Sequence, residues 1–272
     1  MKNPTQQTPQ PPLPPAQPRK NLPRTWVVIG LMLLTGFVFL LQNLSIYILG
    51  DDYLIAFGAK SNPDIINGEL WRLVTPMLLH GSLIHIGFNM YALFIVGPGL
   101  ERYYGRLRFL LLYLLAGIAG NVASFYFSVD PSIGASTAIF GLIAAQGVFI
   151  VRNREFFGSQ ARPMLINTLV IIGINLFLGA SLPGIDNWGH LGGLIGGFAF
   201  AWFAGPLLKR QTVLLDYGGS ATQAYPSLET PLPQYAVRLV DQVLQNRVWL
   251  AAVLEFLILG GLTLLRILRA AG

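Results

Sequence analysis

The sequence predicts an all-α polytopic membrane protein built from seven membrane-spanning helices. Three observations carry that expectation. Hydrophobic residues make up 53% of the chain and charged residues only 11%, whereas soluble domains carry roughly a quarter charged residues. Mean hydropathy is +0.57. The apolar residues also gather into blocks close to the roughly 20 residues a helix needs to cross hydrocarbon.

Residues 1–23 are rich in proline and glutamine, with Pro11-Pro12 and Pro14-Pro15 at the centre. Such a segment has nothing to bury and reads as a disordered tail. Arg19, Lys20 and Arg24 precede the first apolar block, which runs from Trp26 to Leu49. A signal peptide has an apolar region of only about 7–15 residues, so an uncleaved span is expected. The seven spans are placed at 26–49, 82–100, 107–128, 134–151, 163–181, 188–208 and 248–268. Residues 24–208 thus form a six-span core. Residues 209–247 form a polar linker, and 248–272 hold the seventh span and the C-terminus. A stretch over 235–247 is amphipathic and expected on the membrane surface. In the loop 50–81, the segment from Thr75 to His80 is apolar enough for the interface, and Ser82 is placed as a helix N-cap.

The net charge of +6 gives no nucleic-acid patch, because the basic residues flank apolar blocks. The tail, the 101–108 and 152–162 loops and the 209–247 linker hold 14 of the 18 lysines and arginines, and the 129–133 and 182–187 loops hold none. The positive-inside rule then places the N-terminus and the linker in the cytoplasm. Arg266 and Arg269 oppose an external C-terminus, but basic residues near a span end snorkel to the interface. Cysteine is absent, which excludes disulfides, a thiol nucleophile and cysteine metal sites. No internal repeat is evident, which argues against a transporter.

All three histidines, His80, His85 and His190, lie in or beside apolar spans. Ionisable groups at membrane depth are costly and face a bundle interior or a water cavity. Spans 2, 4 and 6 run in the same direction, and His85, Ser136 and His190 sit near their starts. Ser136, in Gly134-Ala135-Ser136-Thr137, follows the turn signal Asp130-Pro131-Ser132. It falls in the first turn of a helix, whose free N–H groups stabilise developing negative charge. Taken alone, it reads somewhat more readily as a packing serine. Gly189, Gly193 and Gly197 form a ridge, and Gly141 with Ala145 a small-residue strip. Close contact between these faces would bring His190 within reach of Ser136 as a general base. Alone, His190 reads as readily as a structural histidine. His85 and Asn89 share one helix face and can both donate to an oxyanion. His80 is expected elsewhere on that helix, with a structural role. A metal site is the rival reading, but no carboxylate accompanies the histidines in these spans and the His-Glu-x-x-His pattern is missing.

Together these residues resemble the rhomboid family of intramembrane serine proteases. The resemblance rests on Trp71-Arg72, the run from His80 through His85 to Asn89, Gly134-Ala135-Ser136 and Gly189-His190. It implies a six-helix rhomboid-like core plus a seventh C-terminal transmembrane helix. It makes Ser136 the nucleophile and His190 the general base, with His85, Asn89 and the Ser136 N–H as the oxyanion hole. Phe140 would pack on the catalytic histidine, and Trp71-Arg72 would organise the first loop. Substrates would be transmembrane proteins entering from the lipid, past span 5 and the 182–187 loop. No cofactor, metal or nucleic-acid partner is implied, and the expected location is a bacterial inner membrane. Thr137 departs from the family's glycine. It is the one feature favouring the alternative, a proteolytically inactive relative that binds membrane clients. Asp186 is expected as a helix N-cap rather than as the third member of a triad.

Overall fold

The computed structural model describes residues 25–214 and 235–271. The proline-rich tail at 1–23 and the middle of the 209–247 linker lie outside the described residues. Seven long helices dominate and are labelled here α1 to α7. They are α1 (Trp26–Leu49), α2 (Leu83–Tyr104), α3 (Arg106–Phe127), α4 (Ser136–Arg152), α5 (Ala161–Ser181), α6 (Asn187–Ala204) and α7 (Gln245–Ala271). Among the described residues, five stretches are long and apolar enough to cross a membrane: α1, α2, α3, Arg154–Ser181 and Gln245–Ala270. The 17 residues of α4 and 18 of α6 rise only about 26 and 27 Å, against a hydrocarbon thickness of about 30 Å. Asn187, His190 and the glycines of α6 also dilute its apolar character.

α3, α4 and α6 form the centre. Phe109, Leu112, Tyr113, Leu142 and Phe200 are at most 1% exposed. Lipid tails are as apolar as leucine, so this packing rests on close van der Waals fit rather than on escape from water. Small residues allow that fit. A Cβ on Gly197 would collide with the Gly141 backbone, one on Gly193 with the Thr137 carbonyl, and one on Gly141 with Ala116. At Gly120 of α3 an added Cβ would lie 2.6 Å from both the Gly189 carbonyl oxygen and Thr137 Cβ.

The outer helices are tied on by polar links. Glu101 of α2 accepts from the Val27 and Val28 N–H groups at 3.0 and 2.9 Å, capping the free amides at the start of α1 with negative charge. Arg152 closes α4 by donating to the carbonyls of Ala201 and Gly205 at the end of α6. Arg108 pairs with Asp241 at 2.6 Å, just ahead of α7. α5 is the loosest element, with only Thr168 and Gly179 buried.

The loop between α1 and α2 is ordered by short helical turns, Tyr53–Gly58, Asn62–Ile66, Leu70–Leu73 and Thr75–Leu78. Arg72 is 5% exposed. It donates to the Ala59 and Ala56 carbonyls and pairs with Glu69 and Asp64. Trp71 stacks on Phe57 and donates its indole N–H to the Phe57 carbonyl.

The stretch expected as a surface-lying amphipathic segment over 235–247 is different. Tyr235–Asp241 is a strand paired with Leu208–Leu214 in a two-stranded sheet. Its Tyr-Ala-Val-Arg-Leu-Val run alternates and carries β-branched residues, so strand pairing wins over a surface helix there.

Candidate active site

Ser136 is the first residue of α4, with Ala135 as its N-cap residue. The opening N–H groups of that helix have no carbonyl partner within it, so they converge where an anion would form. The approach to Ser136 is fixed by the first loop. Lys60 and Ser132 exchange backbone hydrogen bonds at 3.0 and 3.1 Å. The Lys60 ammonium donates to the Ser128 and Asp130 carbonyls. Burial pushes the Lys60 ammonium below the ordinary lysine range, while Asp186 and Asp130 act against that shift. Gly134 N–H donates to the Pro76 carbonyl at 2.8 Å.

His190 enters from the first turn of α6. Asp186 caps that helix, accepting from Gly189 N–H at 2.9 Å. The cap sets where the helix begins and therefore where the imidazole points. His190 Nε2 lies 2.9 Å from Ser136 Oγ. The ring stacks on Phe140 at 4.2 Å with an interplanar angle of 16°. Phe140 is one turn along α4 from Ser136 and so shares its face. Among the described residues nothing hydrogen-bonds His190 Nδ1. Asp186 spends one carboxylate oxygen on its cap, and its other oxygen is buried without a partner among the described residues.

His85 comes from the first turn of α2, which Ser82 caps by accepting from His85 N–H at 3.1 Å. Gly134 has φ +124°, a conformation that L side chains rarely adopt. A Cβ there would sit 2.7 Å from His85 Nε2 and 3.6 Å from Ser136 Oγ. The absent side chain thus opens the space where His85 and Ser136 converge. Asn89 is one turn further along α2, 7% exposed. Its Nδ2 donates to the His85 carbonyl at 3.0 Å, which leaves its second amide hydrogen uncommitted by that bond.

His80 corrects the expectation that it points elsewhere on the α2 helix. It precedes that helix, in extended chain after the Thr75–Leu78 turn. Its ring lies 4.9 Å from that of His85, edge to face, and it is 1% exposed. Gln42 of α1 holds its backbone through both N–H and carbonyl. Ala135 N–H approaches its Nε2 at 3.5 Å. Burial, reinforced by His85, pushes the His80 imidazole down to about 4. Sequence reasoning missed both this pairing and Gly120. The small-residue run Ala116-Gly117-Ile118-Ala119-Gly120 was the available signal for the latter.

Thr137 is 4% exposed. Its Cβ faces Gly120, and its methyl lies 3.1 Å from the position a Gly189 Cβ would take. The side chain fills the seam between α3 and α6, where two glycines leave room for it. Among the described residues no group of three histidine, cysteine, aspartate or glutamate side chains is placed to hold a metal ion.

The arrangement joins a hydroxyl to an imidazole at a helix N-terminus, within a bundle of apolar helices. The family model for the rhomboid domain matches residues 67–207. The chain belongs to the rhomboid family and is a multi-pass membrane protein. It is similar to the rhomboid protease GluP of Bacillus subtilis (strain 168), at 48% identity over 174 residues, covering 64% of this chain and 33% of that protein. RHOMBOID-like protein 9, chloroplastic, of Arabidopsis thaliana is 39% identical over 170 residues, covering 62% of this chain and 38% of its own. The putative rhomboid protease YdcA of Bacillus subtilis (strain 168) is 37% identical over 145 residues, covering 52% and 70%. This chain therefore matches only about a third of the length of the first two relatives.

Proposed function

We propose that the protein is an intramembrane serine endopeptidase that cuts transmembrane segments of other membrane proteins with a Ser136–His190 dyad. The single observation carrying this reading is the 2.9 Å contact between Ser136 Oγ and His190 Nε2 at the start of α4. Ser136 Oγ attacks the scissile carbonyl carbon while His190 Nε2 takes the hydroxyl proton. The carbonyl oxygen becomes an oxyanion, held by the Ser136 N–H and by donors from His85 and Asn89. Collapse breaks the C–N bond, and His190 returns the proton to the leaving amine. His190 then takes a proton from water as that water attacks the acyl carbon, and collapse breaks the C–Oγ bond while the proton returns to Ser136. His190 keeps its orientation through the Phe140 stack and the Asp186-capped helix, with no carboxylate on Nδ1 among the described residues. No step needs a metal or cofactor, so chelators leave the rate unchanged.

The substrate is a transmembrane helix arriving from the lipid. The sparse burial of α5 supports its role as the movable wall through which that helix reaches Ser136. All seven helices span a bacterial inner membrane in this reading. The basic loops, the N-terminus and the 209–247 linker lie in the cytoplasm, and the Ser136 end of α4 faces outward. The test is incubation of purified protein in detergent with a model transmembrane substrate, beside Ser136→Ala. Cleavage by the unchanged protein alone supports the proposal. Equal product from both proteins, or none from either, overturns it in favour of a contaminant or a non-cleaving client binder.

A further inference from the structure

α3, α6 and α7 do not close on one another along their whole length. Between them lies a cavity of about 890 Å³, within the range of sites that hold small ligands, about 300–1,000 Å³. Its floor is made of small residues, Ala119 and Ala123 of α3 and Gly196 and Ala199 of α6, and Leu254 and Ile258 of α7 form a wall. Along α7 the lining runs from Arg247 to Leu262, a rise of about 22 Å. That exceeds the roughly 15 Å that one leaflet contributes to a 30 Å hydrocarbon core. An acyl chain suits a slot of that length lined by small and aliphatic residues.

The polar groups at the cavity's end state what kind of molecule carries that chain. Arg152 and Arg247 both line it. Arg152 uses Nη1 on the Ala201 and Gly205 carbonyls, which anchors a guanidinium whose charge no carboxylate neutralises among the described residues. The exposed Arg247 side chain has no hydrogen-bond or ion-pair partner among the described residues. Glu255 is the only carboxylate lining the cavity. It sits eight residues on, about 12 Å along α7 from Arg247, and among the described residues no ion pair joins it to either arginine. Two guanidiniums at one end of an apolar slot, beside a span terminus, complement a phosphate headgroup with its tail inserted.

We propose that this cavity is a phospholipid site, holding one acyl chain between α3, α6 and α7 with an anionic headgroup against Arg152 and Arg247. It rests on the membrane disposition given under the proposed function, not on the catalytic reading. The test is native mass spectrometry of the full chain carrying Ser136→Ala, released from detergent after exposure to dioleoylphosphatidylglycerol or dioleoylphosphatidylcholine. Binding can then be read whether or not the protein cleaves anything. An arginine near a charged lipid surface favours the anionic lipid about fivefold. The phosphatidylglycerol adduct should therefore dominate, and Arg247→Gln should reduce that preference about fivefold. Ala199→Phe fills the floor and should lower retention of both lipids without touching a charge. Soluble glycerol phosphate should not displace the bound lipid. Equal retention of the two lipids, an unchanged preference in Arg247→Gln, undiminished binding in Ala199→Phe, or displacement by glycerol phosphate would each overturn the proposal.

Discussion

Gly120→Ala tests how finely the helix packing sets the dyad. Gly120 touches neither Ser136 nor His190, yet it abuts the residue beside each. An alanine Cβ there would lie 2.6 Å from Thr137 Cβ and from the Gly189 carbonyl oxygen. Ordinary contact begins near 3.4 Å, so the neighbours must retreat by about 0.8 Å. Both neighbours are backbone or next to it, which leaves no flexible side-chain end to swing away. The retreat therefore reaches α4 and α6 at the level of the 2.9 Å Ser136–His190 contact. A displacement near 1 Å at a catalytic constellation costs about 10²-fold in rate. Overpacking costs about 1–3 kcal/mol of stability, offset by about 1 kcal/mol because alanine favours a helix interior over glycine. The variant should fold and cleave about a hundredfold more slowly. kcat/KM on a transmembrane substrate, with a thermal melt on the same sample, reads both quantities. Gly30→Ala on α1 is the control, since nothing lies within 4 Å of its added Cβ. A Gly120→Ala protein that cleaves within threefold of the unchanged chain would refute the reasoning.

Three further outcomes follow from the site. His85→Ala and Asn89→Ala should each lower turnover by about 10²–10³-fold, as loss of an oxyanion donor does, while Ser136 stays reactive toward small phosphonates. Unchanged turnover in both would remove them from the oxyanion hole. Asp186→Asn keeps the cap and removes the charge, so activity should fall less than about tenfold. A collapse near 10⁴-fold in folded protein would instead indicate a triad. Single cysteines introduced into this cysteine-free chain should be labelled from outside intact cells at position 184 and not at 220, and the reverse pattern would invert the topology.

Much of the helical architecture was legible because long apolar runs have few other homes. The meeting of α4 and α6 was legible too, since glycines at four-residue spacing mark a face that can approach another backbone. What lay hidden depends on contacts between distant segments. His80 sits in extended chain whose direction no periodicity encodes, and Gln42, 38 residues away, fixes it. Glu101 reads as a charge at a span end, but its carboxylate caps a helix that begins more than 70 residues earlier. Thr137 stands as a departure from the family until Gly120 and Gly189 are seen to vacate the space it fills. The strand at Tyr235–Asp241 was masked by a polar, proline-bearing neighbourhood whose linker composition hid its alternation.

The central claim is that Ser136 is a nucleophile made reactive by His190. A fluorophosphonate probe applied to the purified protein, followed by peptide mapping, measures this without any choice of substrate. The adduct should lie on Ser136, vanish in Ser136→Ala, and form far more slowly in His190→Ala because the hydroxyl then keeps its proton. An adduct on another serine, or labelling of Ser136 at an undiminished rate in His190→Ala, would contradict the account.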